Sequence, residues 1–128
     1  MRQFRAAHQG DETCGGFGLD GRELLWRKLA DQLKGYVRTY LRREGPYTPG
    51  LTAAKIPADA ATTSASGVDP DISEANALIQ ANRVAKQRSL PLSRVIGLVD
   101  DATTQPLFGL GGPKSVNVVK LNDALEAL

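Results

Sequence analysis

Aromatic residues are scarce in this chain of 128 residues, at 5%, against 41% hydrophobic residues in all. Any core must therefore be mostly aliphatic. There is one cysteine, Cys14, and one histidine, His8. A lone cysteine forms no internal disulfide, and these two side chains fall short of the about four ligands that close a structural zinc site. No run approaches the ~20 apolar residues of a membrane-spanning helix. Residues 1–20 contain no apolar stretch of the kind a secretory signal carries. Charge of one sign is nearly absent as a bias, because the net charge is +2. A nucleic-acid binder shows a denser basic face, so no nucleic-acid partner is expected.

What is present suits one compact domain. Residues 1–20, with Gly10, Gly15, Gly16 and Gly18, lack periodicity and read as a disordered leader. Residues 21–128 read as the folded unit. The first element covers residues 22–44, where Leu25, Leu29, Leu33, Tyr36, Val37, Tyr40 and Leu41 recur at three- and four-residue steps. Asp20 is placed to cap it, and Gly45-Pro46 to stop it. Gly35 inside it costs roughly 1 kcal/mol relative to alanine and marks a bend or a close contact. Arg22, Arg27, Lys28, Lys34, Arg38 and Arg42 lie largely off the apolar stripe; such a face could touch anionic lipid or nucleic acid, but the interspersed acids favour a solvated face with some ion pairs.

A short strand is expected within residues 55–60. An ordered loop follows over residues 62–73, rich in hydroxyls and carrying Gly67 and Asp69-Pro70. Ser73 is a good N-cap for a helix that runs to about Arg88, with Ala77, Leu78, Ala81, Val84 and Ala85 on one side. Gln80 falls in its middle, a position usually at the edge of an apolar stripe. Ser89 is expected to cap a second helix with Pro91 in its first turn and Leu92, Val95, Ile96 and Val99 inside. Residues 103–114 read as a loop or hairpin and residues 116–121 as a strand. Asn122 is then expected to cap a short helix over residues 123–127. The fold class is α+β or α/β, with three to four helices packed on a small β-sheet in which the strands near Ile56 and Val116 pair.

A catalytic set is missing from this pattern. Gly112-Pro113-Lys114-Ser115 fails as a phosphate-binding loop, because Pro113 removes an amide donor. The residues around Ser64 and Ser66 do not form a nucleophile elbow, and His8 is the only imidazole. Asp69, Asp71 and Glu74 gather near a helix start, where the dipole alone favours acids. An accessory or binding role fits better than an enzyme.

Residues 56–125 resemble the C subunit of the Kdp-type potassium-transporting ATPase. The similarity lies in Ile56-Pro57-Ala58-Asp59, in the run from Thr62 through Ser73, and in Gln80-Ala81-Asn82-Arg83-Val84-Ala85-Lys86-Gln87-Arg88. It continues through Pro106-Leu107, Gly112-Pro113, Val116-Asn117-Val118, Leu121-Asn122 and Ala124-Leu125. The resemblance implies a non-catalytic accessory subunit of an ATP-driven, high-affinity potassium importer. Its partners would be a channel-like potassium-binding subunit, a catalytic P-type ATPase subunit and a small membrane peptide. It implies no firmly bound cofactor, with ATP as a ligand proposed for the family at the glutamine matching Gln80, and Arg83 beside it. Ser64, Ser66, Gly67, Asp69, Pro70, Ser73, Asn117 and Asn122 would form a subunit interface or a structural loop. A soluble regulatory or nucleotide-binding domain derived from that family, or a truncated remnant of it, is the alternative. The family sits at the outer face of the inner membrane through an N-terminal membrane helix. That helix has no counterpart here, so the chain as written is expected in the cytoplasm unless it is a partial product.

Overall fold

A computed structural model describes residues 21–62, 70–105 and 112–128, with side chains from Leu24 onward. Helix α1 (Gly21–Glu44) comes first. Its apolar stripe forms as the spacing predicts, but the stripe is used unevenly. Leu25, Leu29 and Leu33 are more than 40% exposed, whereas Tyr40 is buried and Tyr36 and Val37 are half-buried. Only the last turns of α1 lie against the rest of the protein. A Cβ placed on Gly35 would meet nothing within 4 Å, so that glycine serves no close contact. Gly45 does: a Cβ there would stand 2.5 Å from the Leu41 carbonyl oxygen.

The strand expected within residues 55–60 is not formed. A 3-10 turn (Ala53–Lys55) and the four-residue helix α2 (Ala58–Ala61) occupy that stretch. Pro57 stands at the N-cap of α2, where its missing N–H is no loss. Strand β1 (Asp71–Ser73) leads straight into α3 (Glu74–Gln87). Ser73 caps α3, its Oγ accepting from the Asn76 amide at 3.1 Å. The helix ends in a Schellman arrangement: the Ser89 amide donates to Lys86 and the Leu90 amide to Ala85. Ser89 holds φ 55, the left-handed position that glycine usually takes, so it closes α3 instead of capping the next helix. Pro91 is the N-cap of α4 (Leu92–Asp101).

Strands β2 (Thr103–Thr104) and β3 (Ser115–Asn117) follow, then α5 (Val118–Glu126). The sheet has order β1-β3-β2 and is antiparallel throughout; Ile72 faces Val116, and Thr103 also registers with Val116. Its strands are therefore β1, β2 and β3, with no contribution from the Ile56 region. The run from Val116 to Leu121 divides at Asn117, whose side chain accepts from the Lys120 amide at 2.9 Å and starts α5. Asn122 is inside that helix, not at its cap. Val118, Leu121, Asn122 and Leu125 are the buried face, a helical spacing that outweighs the local β preference of the valines.

The result is α+β, with five α-helices among the described residues. Its apolar core gathers Ile72, Ala77, Ala81, Val84, Val95, Val99, Val116, Leu121 and Leu125 beneath the sheet and between α3, α4 and α5. Leu78 and Leu92, expected inside, are about 40% exposed. No helix among the described residues is long and apolar enough to cross a membrane.

Candidate functional site

The other side of α3 is polar. Asn76, Gln80, Arg83 and Gln87 follow at steps of four, three and four, which aligns them along one edge of the helix. The end of α1 lies over this row, and Asp59 of α2 reaches its first member. The Gln80 amide Nε2 donates to Asn76 Oδ1 at 2.9 Å, and the Tyr40 hydroxyl donates to the same oxygen at 2.8 Å. Asn76 Nδ2 donates in turn to Asp59 Oδ2 at 2.8 Å. Asp59 also accepts from the Ser73 amide and hydroxyl, at 3.0 and 2.8 Å, so one carboxylate ties α2 to β1 and to the first turn of α3.

At the other end of the row, Arg83 Nε donates to both oxygens of Glu44, at 3.0 and 3.1 Å. Arg83 Nη2 reaches Gln80 Oε1 at 3.4 Å and Nη1 reaches Gln87 at 3.3 Å. Arg43 adds a second guanidinium to Glu44 at 2.7 Å. Glu44 and Gln80 are fully buried and Arg83 nearly so. The arrangement is an unbroken chain from Asp59 to Arg43. Among the described residues, no buried side-chain nitrogen or oxygen lacks a partner. Burial pushes the Tyr40 phenol well above its ordinary value, and the Glu44 carboxylate adds to the shift. Tyr40 is thereby held as a neutral donor.

The comparisons with known proteins give this geometry its context. Residues 27–127 match the family model described as KdpC: K+-transporting ATPase, c chain. The chain belongs to this family. It is 52% identical over 87 residues to a potassium-transporting ATPase KdpC subunit of Caulobacter vibrioides, covering 68% of this chain and 41% of that protein. It is 48% identical over 101 residues to the corresponding subunit of Rhodopseudomonas palustris, covering 79% of this chain and 47% of the relative. A Bacteroides fragilis subunit is 46% identical over 80 residues, 62% of this chain and 42% of its own length. The chain thus spans about half the length of the curated relatives it matches.

Within this KdpC-type fold the residues singled out by sequence scatter over three places. Gln80 and Arg83 lie in the polar chain beneath α1. Ser73 joins them through Asp59. Asn117 and Asn122 belong to the far side: Asn117 caps α5 and donates to Asp71 at 3.2 Å, and Asn122 is buried in α5. Pro70 stands before β1, its carbonyl accepting from the Val118 amide at 3.0 Å. Ser64, Ser66, Gly67 and Asp69 lie outside the described residues, as do Cys14 and His8. The acids near the start of α3 part company. Asp71 accepts from Ser115 at 2.9 Å, and Glu74 pairs with Lys114 at 3.6 Å. Among the described residues no group of three or more metal-ligating side chains forms.

Sequence reading did not bring Glu44 or Asn76 to the site, and it placed Tyr40 only in an apolar stripe and Asp59 only in a family motif. A signal existed for two of them. Tyr36, Tyr40 and Glu44 are four residues apart, which places the carboxylate in line with the apolar stripe and marks it for burial. Asn76 begins the polar row that includes Gln80. Asp59 carried no such mark, because its role depends on a β1 residue fourteen positions away.

Proposed function

We propose that this chain serves as a non-catalytic accessory part of a potassium-transporting ATPase, acting through contacts with the other subunits of that complex. The observation that carries the reading is the family match across residues 27–127. The channel-like subunit, the catalytic P-type subunit and the small membrane peptide are its proposed partners. Catalysis is assigned to the P-type subunit.

For Gln80 and Arg83 we propose a positioning role. The carboxamide of Gln80 is engaged at both ends, by Asn76 and by Arg83. Any influence of Gln80 on ATP affinity in the complex would then pass through the placement of α1 on α3, and not through a contact with nucleotide.

The test is co-purification of the chain with the other subunits, using an anchored full-length KdpC as the positive control. Association with potassium-stimulated ATP hydrolysis supports the accessory reading. Failure to associate beside a working control contradicts it. In the same complex, Gln80→Ala is expected to raise the KM for ATP while the isolated chain binds no nucleotide. Saturable ATP binding by the isolated chain, lost on Gln80→Ala, would favour a nucleotide-binding domain instead.

A further inference from the structure

The two sides of α3 are held by different means, and the difference divides the molecule. Every member of the apolar core lies between Ile72 and Leu125. Residues 21–62 contribute none of them. Tyr40 and Ala61 are buried, yet neither belongs to the core cluster. None of the main-chain hydrogen bonds outside helices and strands crosses between residues 21–62 and the rest, among the described residues. The sheet is built from β1, β2 and β3 alone, so it makes no such link either.

Side chains make the connection. Among the described residues they include the Tyr40–Asn76 hydrogen bond, the Glu44–Arg83 ion pair, the Asp59 bonds to Ser73 and Asn76, and a 3.3 Å bond from Asn82 to Thr48. Lys86 adds a cation–π contact with the Tyr47 ring, 5.6 Å from its centroid. Separation uncovers the Tyr40 ring together with these polar groups, and net hydrogen-bond contributions are small when both partners become hydrated. Opening of the core would instead expose Val84, Leu121 and Leu125 to water.

We propose that residues 21–62 form an arm that opens from α3 as one unit while the core of α3, α4, α5 and the sheet stays closed. The Glu44–Arg83 pair and the Tyr40–Asn76 bond are its latch. The open state uncovers Asn76, Gln80 and Arg83 as a polar row on an intact helix. The closed state buries them. Such sub-global opening is expected where contacts with the rest are few and polar.

Hydrogen exchange of the 128-residue chain, followed amide by amide under native conditions, tests this. Amides in the latter half of α1 should share one level of protection, lower than that of α3 and α5. Tyr40→Phe should lower protection in the arm by roughly tenfold, and Glu44→Gln by about a hundredfold or more. Protection of the core amides of α5 should fall by no more than the same factor, because the native state loses stability against both the arm-open and the unfolded states. Leu121→Ala should lower protection in α3 and α5 and leave the arm as it was. Tyr40→Phe removes one hydroxyl and keeps the ring, so it serves if Glu44→Gln does not fold. Equal protection in arm and core, or a fall in arm protection with Leu121→Ala, would overturn the proposal.

Discussion

Helix α3 has two neighbours of opposite character. Against α4 and the sheet it presents Ala77, Ala81, Val84 and Ala85, and the contact is aliphatic. Against α1 and α2 it presents Asn76, Gln80 and Arg83, and the contact is made of hydrogen bonds and one buried ion pair. Apolar packing is non-directional and tolerates side chains of similar volume. Hydrogen bonds and ion pairs in a dry seam are directional, and each group left without its partner carries a desolvation cost. The core therefore supplies stability, and the seam sets where α1 sits.

The strongest way to break this comparison is at Glu44. Glu44→Ala leaves the Arg83 guanidinium buried without its main counter-charge, and urea unfolding should show a loss of about 3–5 kcal/mol. Replacing both partners, Glu44→Leu with Arg83→Leu, should recover most of that loss, because well-packed apolar groups can stand in for a buried pair. Leu121→Ala in the core should cost about 2–5 kcal/mol by the same measurement. Leu121→Met should cost less than about 1.5 kcal/mol. The contrast is sharpest between swaps of equal size, since Glu44→Gln should cost more than Leu121→Met.

Smaller effects sharpen the picture. Gln80→Ala removes the link between Asn76 and Arg83 and should cost about 1–3 kcal/mol. Tyr40 makes the seam sensitive to alkali. Its folded-state pKa lies above the ordinary 10.0, so the neutral phenol is favoured by folding. Its contribution is complete below that value and is lost as pH rises above it. Unfolding measured from pH 8 to 11 should therefore show a steeper loss in the parent than in Tyr40→Phe. Ser89→Gly relieves a left-handed serine at the end of α3 and should add up to about 1 kcal/mol. Leu29→Gln, on the exposed half of α1, should alter stability by no more than about 0.5 kcal/mol.

Much of the fold was legible from spacing. The limits of α1 and α3, the cap at Ser73 and the strand at Val116 follow from periodicity and cap chemistry. Two readings failed for a shared reason. The Ile56 region and residues 118–121 were judged on β-branched or extended local preference, whereas long-range packing set their conformation. Pro57 opens α2 because Asp59 then reaches Ser73. Asn117 opens α5 because Val118, Leu121 and Leu125 then face the core. The candidate site was legible in part. Gln80 and Arg83 were found through family resemblance, but their partners Glu44 and Asn76 are 36 and 4 residues from Gln80 in sequence. Spacing alone brings only the second of these to it.

The central claim is that Arg83 serves the seam through Glu44. The most direct measurement is a double-mutant cycle in urea unfolding, with Glu44→Ala, Arg83→Ala and the two together. The account predicts a coupling of about 1.5 kcal/mol or more, so that the double variant is far less damaged than the sum of the singles. Additivity within about 0.5 kcal/mol would contradict it, and would mean that Arg83 is held for a contact outside this chain.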